Sequence, residues 1–217
     1  MSTLEFNVVP VTPFEQNCCI LRCPKTGRGA LVDPGGDAER ILDAARKQGV
    51  EIEKVLLTHG HFDHVGSATE IARRLDVPIE GPHREDAFLL NTVDKWCSQF
   101  GFPAALNVVP DRWLEDGDEV TVGEQRLQVL HCPGHTPGHI VFFDPAGRLA
   151  WVGDVLFNGS IGRTDFPRSD HDALLHSISE RLLPLGDDVR FVPGHGPMST
   201  FGEERQHNPF ISSTRWG

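Results

Sequence analysis

Thr58-His59-Gly60-His61-Phe62-Asp63-His64 follows directly on the apolar run Val55-Leu56-Leu57. A short apolar run bounded by polar residues reads as a buried strand, here over residues 55–57. Alternate side chains of an extended segment share a face, so His59, His61 and Asp63 leave the strand end on one side. His64 follows where a helix begins. Asp63, near that helix start, is favoured by the positive end of the helix dipole. Imidazoles and a carboxylate gathered in this way suit zinc, and also iron or manganese.

Three later segments carry matching residues. In His131-Cys132-Pro133-Gly134-His135-Thr136-Pro137-Gly138-His139 the histidines are spaced as on one helix face. The interleaved prolines and glycines forbid that helix, so the segment is a loop between strands. His135, at the loop centre, is the candidate ligand. His131 and His139 stand at strand ends, where a structural role and ligation are equally open. In Trp151-Val152-Gly153-Asp154-Val155-Leu156-Phe157 a lone aspartate sits among apolar residues. Burying it unpaired is unfavourable, and cations would neutralise it. A carboxylate can also bridge two metals with its two oxygens, the role assigned to Asp154. Val192-Pro193-Gly194-His195-Gly196-Pro197 places His195 in a glycine-flanked loop after the last strand. The candidate centre is therefore binuclear and built from His59, His61, Asp63, His64, His135, Asp154 and His195.

The surrounding pattern is of strands and helices in two halves, each mostly β first. Strands are expected at residues 4–9, 17–22 and 29–32, closed by the turn Asp33-Pro34-Gly35-Gly36. A helix over 38–48 follows from the spacing of Ile41, Leu42, Ala45 and Gln48, with Gly49 as its stop. Further helices are expected at 65–75, 87–100 and 171–182. Further strands are expected at 119–122, 126–130, 139–144, 149–152 and 189–192, with a short helix from Phe201 onward. Two packed sheets with helices outside would bury both faces of each sheet. No repeat or linker divides residues 1–217, which read as a single domain.

Composition excludes several classes of function. The formal net charge of −11 argues against a nucleic-acid partner, which needs a basic surface. No apolar run approaches the roughly 18 residues of a membrane span. The start, Met1-Ser2-Thr3-Leu4-Glu5, has neither the basic region nor the apolar run of a signal peptide. The 5 cysteines, at 18, 19, 23, 97 and 132, are odd in number and show no disulfide framework. Reduced thiols in a cytoplasmic protein are the simplest reading.

His-x-His-x-Asp-His at 59–64, Gly134-His135-Thr136, Gly153-Asp154 and Gly194-His195-Gly196, in this order, resemble the metallo-β-lactamase superfamily. The resemblance spans nearly the whole chain. It implies an α/β fold, a four-layer αββα sandwich of two mixed sheets with helices outside and the metals at one sheet edge. It also implies the division of ligands: His59, His61, His135 and Asp154 for one metal, and Asp63, His64, Asp154 and His195 for the other. Two divalent ions are implied, zinc first, with iron or manganese as alternatives.

Leu156-Phe157-Asn158-Gly159-Ser160-Ile161-Gly162-Arg163-Thr164-Asp165-Phe166, with Pro193-Gly194-His195-Gly196-Pro197-Met198-Ser199-Thr200, resembles the type II glyoxalases (hydroxyacylglutathione hydrolases) in their short bacterial form. Arg163 stands where those enzymes carry a basic residue for the glutathione carboxylate. The resemblance implies hydrolysis of a small-molecule thioester, glutathione-derived, with Asp63 orienting the nucleophile or receiving its proton. Asp33 is either a partner that fixes a histidine tautomer or a plain turn residue. Two features depart from the longer glyoxalases. They carry a C-terminal helical domain, whereas this chain ends at Gly217, soon after His195, and they use tyrosines, of which this chain has 0.

The main rival is a mononuclear Fe(II) persulfide (sulfur) dioxygenase of the same superfamily, which this chain resembles at Gly162-Arg163-Thr164-Asp165-Phe166. His59, His135 and Asp154 would hold its iron. A superfamily nuclease conflicts with the acidic balance, and a secreted β-lactamase with the missing signal peptide. A non-catalytic binding module conflicts with the full set of ligand positions.

Overall fold

Cys18 and Ile20 point one way from their strand and Cys19 and Leu21 the other, and both faces are buried. That alternation, repeated along neighbouring strands, is what makes the layers. The computed structural model describes residues 3–212. Met1 and Ser2, where the leader reading begins, and the tail beyond 212 lie outside the described residues.

The first sheet contains β1 (Glu5–Val11), β2 (Gln16–Arg22), β3 (Arg28–Val32), β4 (Glu51–Leu56) and β5 (Ile79–Glu80), side by side in that order. β1, β2 and β3 pair antiparallel, whereas β3, β4 and β5 pair parallel. The second sheet uses β6 (Glu119–Val122), β7 (Gln125–His131), β8 (Ile140–Asp144) and β9 (Leu149–Gly153). A small hairpin, β10 (Leu156–Phe157) and β11 (Ser160–Ile161), precedes β12 (Arg190–Pro193) and β13 (Ser199–Thr200). The order is β13-β12-β9-β8-β7-β6, with β9 and β12 parallel.

Helices α1 (Ala38–Lys47), α2 (Phe62–Val65), α3 (Ala68–Leu75), α4 (Ala87–Leu90) and α5 (Val93–Gln99) lie with the first sheet. Ile41 and Leu42 of α1 and Ile71 of α3 pack with Ile20, Leu31 and Val55. Between the sheets, Leu21, Val32 and Leu56 meet Val129, Phe142 and Trp151. On the far side, Val141, Phe143 and Val152 meet Leu174 of α6 (His171–His176) and Ile178 and Leu182 of the π-helical turn Ser177–Leu182 that continues it. Phe201, which opens α7 (Phe201–His207), completes that layer, and α8 (Pro209–Ser212) follows. The four layers are helix, sheet, sheet and helix, as the resemblance implies. Among the described residues no helix is long and apolar enough to cross a membrane.

The structure differs from the sequence expectation in its helices: the tail from Phe201 forms two, α7 and α8, and the helix expected at 171–182 turns π-helical at Ser177. The helix expected at 65–75 is two, α2 and α3. The Ser67 amide is diverted to the Pro34 carbonyl at 3.0 Å, which ends the first turn and docks it on the 33–36 turn. The helix expected at 87–100 is also two, α4 and α5. Thr92 donates its hydroxyl back to Phe88 O at 3.2 Å and Leu89 O at 3.0 Å, offering that backbone an alternative to helix. β5, β10, β11 and β13 were not expected, since each is too short to show a period of two.

Candidate metal centre

Seven side chains predicted as ligands converge where β4, β9 and β12 end. His59 and His61 follow β4, and Asp63 and His64 lie on α2. His135 comes from the loop between β7 and β8. Asp154 follows β9, and His195 follows β12. The close approach depends on glycine at 194. A side-chain carbon there would overlap Asp154 Oδ1 and come within 2.6 Å of His64 Cε1.

The facing atoms form two groups. His61 Nδ1 lies 3.2 Å from His59 Nε2 and 3.0 Å from His135 Nε2. His195 Nε2 lies 3.3 Å from His64 Nε2 and 3.2 Å from Asp63 Oδ2. Asp154 stands between them, with Oδ1 3.3 Å from His64 Nε2 and Oδ2 3.6 Å from His135 Nε2. Both triads, His59 with His61 and His135, and Asp63 with His64 and His195, have ligand atoms close enough to share an ion.

The outer hydrogen bonds show what these atoms can do. His64 Nδ1 donates to Asp33 Oδ2 at 2.9 Å, His135 Nδ1 to the Arg163 carbonyl at 2.8 Å, and His195 Nδ1 to the Phe14 carbonyl at 3.0 Å. With Nδ1 as the donor, each ring in its neutral form presents a lone pair at Nε2. The Nε2 atoms of His64 and His195 face each other beside Asp63 and Asp154, a place that a cation, proton or metal, must fill. Asp154 Oδ1 is buried and has no hydrogen-bond donor. Lone pairs and carboxylates packed this way are unfavourable alone and favourable around cations. The donor set fits two divalent ions.

Electrostatics agree. Burial, with His64 and the other imidazoles beside it, holds His59 well below the usual histidine range. Burial and the neighbouring His135 bring His61 down to about 3. Burial also lowers His135. These rings stay neutral and able to ligate. Burial opposes charge on His64, yet Asp154 and Asp63 beside it hold its pKa well above the ordinary value. Burial likewise opposes ionisation of Asp154, and His64 and His135 more than reverse that. The pocket is thus poised for positive charge between anions.

The open alternatives resolve by position. His139 accepts the Asp154 amide at 3.0 Å and stacks on His59 at 4.6 Å, so it supports Asp154 from behind. His131 donates to the Pro137 carbonyl at 2.9 Å and stacks on His83, away from the centre. Asp33 is more than a turn residue. Besides His64 it accepts the Thr58 amide at 2.8 Å and the Thr58 hydroxyl at 2.5 Å. The Arg163 side chain is exposed at the rim, paired with Asp165 at 2.7 Å and lying over the Phe166 ring.

Sequence reasoning missed Asp86. It is fully buried and accepts the amides of Gly60 at 2.8 Å and Gly138 at 2.6 Å and the Thr136 hydroxyl at 2.7 Å. One carboxylate thereby ties the loop of His59 and His61 to the loop of His135. Its setting, Pro82-His83-Arg84-Glu85-Asp86, reads as surface, and no periodicity marks it. A cavity of about 640 Å³ opens over the centre, between Phe14, Phe62 and Phe100 on one side and Phe157 and Arg163 on the other.

A family model described as the metallo-beta-lactamase superfamily matches residues 11–195, from the end of β1 to the last histidine of the centre. The chain belongs to that superfamily. Hydroxyacylglutathione hydrolase GloC of Haemophilus influenzae is 41% identical over 211 residues, which cover 97% of this chain and 99% of the relative. Among solved structures, the B3 metallo-beta-lactamase BLEG-1 superposes with a TM-score of 0.88 at 33% identity, covering 96% of this chain and 100% of that one. The protein TTHA1623, in a di-iron-bound form, superposes with a TM-score of 0.85 at 38% identity, covering 94% and 99%. The protein is a metal-dependent hydrolase.

Proposed function

We propose that this enzyme is a binuclear thioester hydrolase acting on hydroxyacylglutathione, S-lactoylglutathione being the reference substrate. The observation that carries this reading is the pair of complete ligand sets sharing Asp154 beneath one open cavity. The likeness to a hydroxyacylglutathione hydrolase over 97% of the chain supports it.

In this reading His59, His61 and His135 would hold one ion, Asp63, His64 and His195 would hold the other, and Asp154 would serve both. When bound, two divalent cations supply an acidified water and Lewis acidity toward a carbonyl oxygen. Zinc is our first choice, and the di-iron form of TTHA1623 makes iron the nearest competitor. Asp63 Oδ2 faces the cavity beside His195 and is the atom placed to orient the nucleophile and take its proton. Phe14, Phe62 and Phe157 narrow the access of bulk water to the reacting carbonyl. Arg163, at the rim, exchanges Asp165 for a carboxylate of the substrate thiol. The thiols suit a cytoplasmic location, since all 5 cysteines are free and buried.

Metal analysis of the purified protein, coupled to an S-lactoylglutathione hydrolysis assay, tests the proposal. Two ions per chain with thioester cleavage are expected. One iron per chain, with oxygen uptake on glutathione persulfide and no thioester cleavage, would establish the dioxygenase instead.

A further inference from the structure

A second chamber, of about 230 Å³, adjoins the cavity over the centre, and the proposed chemistry makes no use of it. Phe88 and Leu89 of α4 and Trp96 and Phe100 of α5 form one wall. Phe166 and Pro167, just beyond Arg163, form the other. His61, Phe62, Phe100 and Phe166 are the partition, because all border both the chamber and the main cavity. The lining contains no carboxylate and no amine. Its hydroxyl, on Thr92, is already donated to Phe88 O and Leu89 O. The nearby guanidinium of Arg168 lies over the Phe88 ring and pairs with Glu85, so its charge is satisfied. Trp96 and Phe100 are 37% and 51% exposed. Exposed aromatics grouped around a pocket mark a binding surface.

Position decides which part of a substrate the chamber serves. A carbonyl reacting at the centre lies against both ligand sets, and its acyl substituent is one bond away. The chamber begins at His61, within the first set. The charged thiol portion has Arg163 in the main cavity, whereas the chamber offers nothing to a charge. A methyl group would leave most of its volume unfilled. An apolar cavity of roughly 150 Å³ is enough to hold a benzene ring.

We infer that the preferred substrates are thioesters whose acyl group carries an aryl or branched alkyl substituent, seated among Phe88, Leu89, Trp96, Phe100 and Phe166. This inference rests on the thioester hydrolase reading and narrows it to a substrate class.

S-mandeloylglutathione and S-lactoylglutathione share the thiol and the 2-hydroxyl and differ in phenyl against methyl. The metal-loaded enzyme is expected to show a kcat/KM at least about tenfold higher for the mandeloyl thioester, the range that apolar pockets achieve. Thr92→Phe, which fills the chamber, and Trp96→Ala, which removes a wall, should each bring that ratio down toward one. Equal kcat/KM for the two thioesters, or an unchanged ratio in both variants, overturns the inference and leaves thioester hydrolysis standing. Cleavage of neither thioester overturns the hydrolase reading itself. The chamber is then judged by calorimetry with mandelate and lactate. Mandelate binding about tenfold tighter supports it, and equal binding overturns it.

Discussion

Asp33 and His64 meet at 2.9 Å behind the centre, the carboxylate accepting the Nδ1 hydrogen and so turning Nε2 of the ring toward Asp154. A ligand histidine fixed in this way is more basic and is pre-oriented. Asp33→Asn should lower metal affinity about 10–100-fold. Competition against a graded series of chelators measures it. An affinity equal to that of the parent would mean the pair is only structural.

Asp154→Asn removes the negative charge that both ligand groups face. The fold should persist, because the Asp154 backbone is held independently by His139. Metal content and activity should be lost together. Full occupancy in the variant, read by elemental analysis, would show that the bridging role is wrong.

Asp86 gives a pH-dependent signature. Burial, opposed by Thr136, Gly60 and Gly138, pushes its carboxyl up to about 6. The folded state therefore binds that proton more tightly than the unfolded chain, whose carboxylates titrate near 4. The stability from this group is fully present below about pH 4 and is lost as pH rises through about 6. Asp86→Asn removes the titration and turns an acceptor into a donor, which costs about 1–3 kcal/mol at pH 7. Urea unfolding of the metal-free proteins should show the deficit of the variant widening from pH 7 to pH 5. A constant difference would contradict the assignment.

Arg163→Ala tests the rim. The side chain is exposed, and an exposed ion pair contributes at most about 1 kcal/mol, roughly fivefold. KM for a glutathione thioester should rise by about that factor with kcat nearly unchanged, the pattern of lost uniform binding. A fall in kcat with KM unaltered would move Arg163 from substrate binding into the chemistry.

The residues that lie close together in sequence were the legible ones. His59, His61, Asp63 and His64 announce themselves because one strand end and one helix start present them together. Asp154 and His195 stand out as polar residues ending apolar strands. The four layers were legible through the family resemblance, because the strand periodicity permits two packed sheets without establishing them. Asp86 was hidden, since its burial is created by loops some 26 and 52 residues away in the chain. The split of 87–100 was hidden because Thr92 acts through its hydroxyl, a side-chain competition that hydrophobic periodicity does not register. The apolar chamber depends on Phe166 and Pro167 meeting α4 and α5, a tertiary contact with no local signal.

His59, His61, Asp63 and His64 hang from the first sheet, and His135, Asp154 and His195 from the second. Any ion they share is a rivet driven through the seam between the two halves of the chain. The halves can part only after coordination breaks, so the loaded enzyme should come apart far more slowly than the chelated one. During synthesis the second rivet cannot be set until His195 has emerged and docked, so the pair is completed only when both sheets are in place.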